Sequence, residues 1–231
     1  MIPRIHQKIV IEQSAVGHDA FADFYRLGQM PGSGTPLLMY FGGAISTDVY
    51  NARRDTEPLS LVELIEYALF ATGVESVDFL VVPCPLIGRA IPDFRSRIFR
   101  FVLEELLPQT PNPKPERMGF FGNSAGAHIA AVLAFELEGV RALATTGAVG
   151  LVEAVDESEL RLFAGKRYLS FANETDPCSE QSHKFWEAMI ARGIAVDLLE
   201  RPGGHPFEDY VANDSARDAF TWLLDSLSMK A

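Results

Sequence analysis

Short, compact apolar runs that alternate with helical stripes constrain this chain more than any other feature. "LLMYF" at 37–41, "VDFLVV" at 77–82, "RMGFF" at 117–121 and "VRALATT" at 140–146 are almost uniformly apolar. Such runs mark parallel strands covered on both faces. "RYLSFA" at 167–172 and "AVDLLE" at 195–200 repeat the pattern with more polar interruptions. Between the runs, apolar residues recur at helical spacing. Leu61, Val62, Ile65, Ala68 and Leu69 share one face, closed by Gly73, and Phe94, Ile98, Phe101, Val102 and Leu106 share another, with Asp93 placed to cap it. Phe185, Trp186, Met189 and Ile190 mark a third helix, ended by Gly193, and Ala216, Phe220, Leu223, Leu224 and Leu227 a last one. "PQTPNPKPE" at 108–116 is too rich in proline for anything but a loop.

The first two segments differ. "IHQKIVIE" and "AFADFYRL" alternate apolar and polar residues and read as a short antiparallel pair near one edge. The predicted fold is therefore α/β, with a mostly parallel central sheet of about eight strands and helices on both faces. With 231 residues, 48 % of them apolar, and no linker or repeat in view, one domain over 1–231 is expected.

Thirty-one acidic and 20 basic side chains leave a formal charge of −11, which argues against nucleic acid or an anionic membrane as partner. Cys84, in an apolar run, reads as a buried thiol, and Cys178 follows a strand end; two cysteines make no disulfide framework. A reducing cytoplasm is the expected setting. The start lacks the long apolar segment of a signal peptide, and no run reaches the length of a membrane span. Oligomeric state is left open.

One stretch carries chemistry. In "FFGNSAGAHIAAVLAF", at 120–135, a buried strand becomes a helix with only a small-residue turn between them. A turn so abrupt puts its apex residue, Ser124, in a strained conformation. Gly122 and Gly126 allow strand and helix to approach without Cβ clashes. The Ser124 hydroxyl then stands at a helix N-terminus, where free N–H groups favour developing negative charge. Gly122-Asn123-Ser124-Ala125-Gly126 is thus a G-x-S-x-G nucleophile elbow in its proper strand–turn–helix setting.

Through these residues the chain resembles the α/β-hydrolase family over nearly its whole length. The resemblance implies a base, an acid and a second oxyanion donor, in the chain order Ser, Asp/Glu, His. His6 and His18 precede the central sheet, His128 lies one turn down the Ser124 helix, and His183 opens a later helix on its polar side. His205 follows a strand and two glycines, in "RPGGHPF", where a loop at the sheet's carboxyl edge brings imidazole toward Ser124. Family members similar to this chain carry their histidine there, often as "GGH". For the acid, "FANETDPC" offers Asp176 at the expected position and Glu174 as the alternative. Asn173 stands where many members have glycine, a departure that asparagine's tolerance of positive φ accommodates.

The resemblance further implies an oxyanion hole from the N–H of Ala125 and from the loop at Phe41-Gly42-Gly43-Ala44, the counterpart of H-G-G-G. Gly43 is the first choice there, with Gly42 and Ala44 beside it. "STDVYNARRDTEP" and "PLIGRAIPD" read as polar connections that wall the pocket, with Arg53, Arg54 and Arg89 able to meet an anionic group or simply solvated. Residues 151–164 leave room for one short lid-like helix, not a cap domain. No metal or organic cofactor is implied, and no Cys/His cluster has zinc-ligand spacing. The expected function is a serine hydrolase that acts on a small-molecule acyl ester or thioester. An acyltransferase, a biosynthetic thioesterase, a peptidase or an inactive binding protein on the same fold are the alternatives.

Overall fold

The computed structural model describes residues 3–28, 34–85, 94–147 and 165–229. Its strands are β1 (Arg4–Ile11), β2 (Ala20–Gly28), β3 (Leu37–Ile45), β4 (Ser76–Pro85), β5 (Met118–Asn123), β6 (Val140–Thr146), β7 (Arg167–Asn173) and β8 (Val196–Arg201). They form one sheet in the order β1-β2-β4-β3-β5-β6-β7-β8. Only the pairs β1/β2 and β2/β4 are antiparallel; every other neighbour is parallel. Each apolar run singled out above is a strand, and the first two pair as expected.

The helices are α1 (Thr47–Arg54), α2 (Leu59–Thr72), α3 (Phe94–Arg100), α4 (Ala125–Glu136), α5 (Ser179–Ile190), α6 (Phe207–Ala212) and α7 (Ser215–Ser228). α3 continues into a π-helical turn, Phe101–Leu106, and a 3-10 turn, Leu107–Gln109, before the proline-rich loop. The pleat sends alternate residues to opposite faces and so builds two cores. Phe120 packs with Phe41, Leu133 and Phe135 on the α4 side, whereas Phe121 packs with Phe79, Phe220 and Leu224 on the α2 and α7 side. In β4, Asp78 is buried and takes two bonds from Arg26 of β2, 2.7 and 2.9 Å long.

Two differences from the sequence reading have local causes. "STDVYNARRDTEP" is not wholly a connection: it holds α1, started by the Ser46 hydroxyl, which accepts the Val49 N–H at 3.3 Å. The last helical stripe is α7 as read, but a further short helix, α6, precedes it, and Asp214 with a left-handed φ of 66° separates the two. Asp93, Arg89 and the lid-like segment 151–164 lie outside the described residues, and so does the side chain of Cys84. Among the described residues the sheet ends at β1 and β8. No described helix is long and apolar enough to cross a membrane.

Candidate active site

β5 ends at Asn123 and α4 begins at Ala125, so Ser124 alone makes the turn. Its φ of 51° and ψ of −119° lie where a non-glycine residue costs roughly 1–3 kcal/mol. Backbone bonds hold it there. The Ser124 N–H donates to the Thr146 carbonyl of β6 at 2.9 Å, and the Ser124 carbonyl accepts the Ala127 N–H at 3.0 Å. Both flanking glycines are obligatory. A Cβ on Gly122 would stand 2.4 Å from Ala127 Cα, and one on Gly126 would stand 2.1 Å from the Phe41 carbonyl oxygen.

Ser124 Oγ lies 3.0 Å from His205 Nε2, and His205 Nδ1 lies 2.9 Å from Asp176 Oδ1. Asp176 is buried and accepts two further bonds, from the Cys178 N–H at 2.7 Å and the Tyr210 hydroxyl at 2.5 Å. Burial alone would push this carboxyl up; the bonds from Tyr210, Cys178 and His205 outweigh it and hold the group below the usual aspartate range. An ionised Asp176 can only accept, so His205 Nδ1 carries the proton and Nε2 faces Ser124 as acceptor. The Tyr210 phenol is raised, by burial first and then by Asp176. Of the two acid candidates, Asp176 is the one on His205; Glu174 is exposed.

The His205 loop is held by side chains. Asn173 Nδ2 donates to the Gly204 carbonyl at 2.8 Å, Thr175 Oγ1 to the Gly203 carbonyl at 2.8 Å, and the Gly204 N–H to Asp209 Oδ2 at 2.7 Å. Asn213 Nδ2 bridges Asn173 Oδ1 and the Pro202 carbonyl at 2.9 and 2.8 Å. This corrects the reading of Asn173: its φ is not positive, and the residue is present for its amide. Tyr210, Asp209 and Asn213 were not singled out in the sequence. Only their place just after "GGH" pointed to them.

In β3 the pairing with β4 slips between Phe41 and Ala44, so Gly42 and Gly43 form a bulge. A bulge bends its strand and leaves backbone groups outside the ladder. Gly43 packs against the Ser124 turn, where a Cβ would meet Asn123 Oδ1 at 2.9 Å and Ser124 Cβ at 3.4 Å. Ala125 opens α4, whose first N–H groups have no intrahelical acceptor. Ser124, His205, Gly42 and Gly43 line one cavity of about 500 Å³. Its walls add Tyr40, Phe21 and Phe207 as aromatic surface, and Asp23, Glu57, Glu208 and Arg53 as charged groups. Asp23 accepts from Lys8 Nζ at 2.9 Å and lies 2.8 Å from His6 Nε2. The polar connection at 46–58 therefore walls the pocket as expected, and of its two arginines Arg53 reaches the cavity lining.

The other histidines are elsewhere. His6 lies between Asp23 and Glu57, His183 bonds to the Ser179 carbonyl and Glu200, and His18 bonds to the Asp19 carbonyl. His128 is half-buried on α4.

No protein-family model matches this chain, and no curated protein matches it in sequence. Solved structures do. A ferulic acid esterase aligns over 99 % of this chain and 100 % of its own, with a TM-score of 0.72 at 13 % identity. S-formylglutathione hydrolase FrmB of Staphylococcus aureus aligns over 96 % and 97 %, with a TM-score of 0.69 at 11 % identity. Carboxyl esterase 2 of the mycorrhizal fungus Tuber melanosporum aligns over 97 % and 88 %, with a TM-score of 0.61 at 15 % identity. With its strand order, its single reversed strand β2 and these likenesses, the chain is an α/β-hydrolase by fold.

Proposed function

We propose that this protein is a serine hydrolase of small-molecule carboxylic esters or thioesters, working through an acyl-enzyme on Ser124. One observation carries the reading: the unbroken chain from Ser124 Oγ through His205 to buried Asp176, at 3.0 and 2.9 Å, in the wall of a cavity. His205 takes the Ser124 proton as the oxygen attacks the acyl carbon, and Asp176 stabilises the imidazolium so formed. Gly43 and Ala125, with Gly42 beside them, offer N–H groups to the oxyanion. His205 then returns the proton to the leaving group and activates water for deacylation. The cavity of about 500 Å³ suits a modest organic ester. With Asp23 paired to Lys8, the lining carries Glu57 and Glu208 against Arg53, which favours an uncharged ester over a polyanionic thioester such as an acyl-CoA.

The test is covalent labelling with a fluorophosphonate, read by intact mass. One adduct on the wild type, none on Ser124→Ala and much slower labelling of His205→Ala are expected. A folded wild type that takes no label and cleaves no ester in a chain-length panel would remove the reading. Adding an alcohol or CoA acceptor and analysing products separates hydrolysis from acyl transfer.

A further inference from the structure

Asp176 has a neighbour that the mechanism above does not use. Asp176, Cys178 and His205 each offer a ligand atom, and the three atoms lie within 4.8 Å of one another. The turn after β7 brings this about. The Cys178 N–H donates to Asp176 Oδ1, which folds the half-buried thiol back over its own carboxylate. The thiol is pushed up to about 11, by burial first and then by Asp176. On the other side Gly147 packs against the pair, and only a residue without a side chain fits there. A Cβ there would sit 3.0 Å from Asp176 Oδ2, His205 Cε1 and His205 Nδ1.

We propose that Asp176, Cys178 and His205 bind a thiophilic divalent cation of the zinc class, and that the bound ion switches the active site off. Sulfur, imidazole nitrogen and carboxylate oxygen are the donor set zinc prefers. Donors around a tetrahedral zinc stand about 3.3–3.8 Å apart, so side-chain rotations of about an ångström close the cage. The Tyr210 hydroxyl and Cys178 N–H remain on Asp176 and orient it as outer partners.

The Cys178 thiol releases its proton to water and binds as thiolate. The ion takes the Nδ1 lone pair, so the proton on Nδ1 moves to Nε2. One proton leaves, and carboxylate and thiolate together offset the two charges of the ion. His205 now presents N–H instead of a lone pair to Ser124 Oγ, and the hydroxyl has no base. Inhibition rests on the proposed hydrolase reading; binding does not.

The experiment therefore has two arms. Cobalt(II) replaces zinc as the spectroscopic probe, since thiolate ligation gives an intense near-ultraviolet charge-transfer band. Wild type and Ser124→Ala should each bind one cobalt with the band, and Cys178→Ala should lack it. In the second arm, zinc chloride in the micromolar range should cut wild-type ester hydrolysis at least tenfold, reversibly with chelator. Cys178→Ala, scored against its own metal-free rate, should need at least tenfold more zinc. A wild type without the band, or Cys178→Ala inhibited at the same zinc concentration, overturns the proposal. If no ester is cleaved at all, the hydrolase reading falls and the cobalt arm still decides the site.

Discussion

Ser124 and His205 meet at 3.0 Å, yet the molecule holds them in opposite ways. The Ser124 turn is a backbone device. Its bonds run to the carbonyl of Thr146 and the N–H of Ala127, and its neighbours are glycines because main chain fills the space where a Cβ would go. The His205 loop is a side-chain device, tied down by Asn173, Thr175, Asp209 and Asn213. A backbone-held turn is rigid and intolerant. A loop held by amides and carboxylates can lose one tie and keep the rest, so damage there should reach rate before it reaches fold.

The largest effect should come from Gly126→Ala. The added methyl meets the Phe41 and Gly42 carbonyl oxygens at 2.1 and 2.4 Å, and neither strand nor helix can yield cheaply. A loss of at least about 3 kcal/mol in urea unfolding is expected. A variant as stable as wild type would show the turn to be softer than its geometry implies. Asn213→Ala probes the other device. It strips the donor from Asn173 Oδ1 and the Pro202 carbonyl, and should lower kcat about 10- to 100-fold through misplacement of imidazole, with KM little changed. The accompanying stability loss should be only about 1–2 kcal/mol. Unchanged kcat would mean the remaining ties suffice.

Tyr210→Phe removes one bond to Asp176 and should cost several-fold in kcat. It also has a signature in pH. Because the folded state holds the Asp176 carboxyl low, its ionised form stabilises the fold above the unfolded value, and that contribution is lost as pH falls through the folded value. With the Tyr210 donor gone the contribution is smaller and its loss is complete at a higher pH, so the acid-unfolding midpoint should move up. An unmoved midpoint would assign the low value to Cys178 and His205 alone. The smallest effect is a gain: Ser124→Gly relieves the strained φ and should raise stability by about 1 kcal/mol while abolishing activity. A thermal melt no higher than wild type would show that no strain is stored there.

The same contrast explains what was legible in the sequence. Ser124 was readable because five consecutive residues encode its whole geometry. The strands were readable because burial on both faces leaves near-continuous apolar runs. Asp176 and His205 were placed through chain order and the turns that carry them, but their supports were not. Tyr210 lies 34 residues from Asp176, and Asn213 lies 40 from Asn173. No local pattern records such pairs, and a family glycine at Asn173 suggested a backbone role where the amide does the holding. α1 is a different failure. Its cap, Ser46, and its charges, Asp48 early and Arg53 and Arg54 late, were all present. The segment buries only Tyr50 among its described side chains, so no apolar stripe announced it.

The sheet's last strand has a bearing on self-association. In β8, Asp197 and Glu200 are exposed on either side of Leu198 and Leu199. Were two copies to pair antiparallel about those leucines, Asp197 of each would stand opposite Glu200 of the other. Like charges directly opposed weaken a cross-strand pair, and charged edges are a common guard against aggregation. With a net charge of −11 adding long-range repulsion, any assembly of this chain should leave the β8 edge in water.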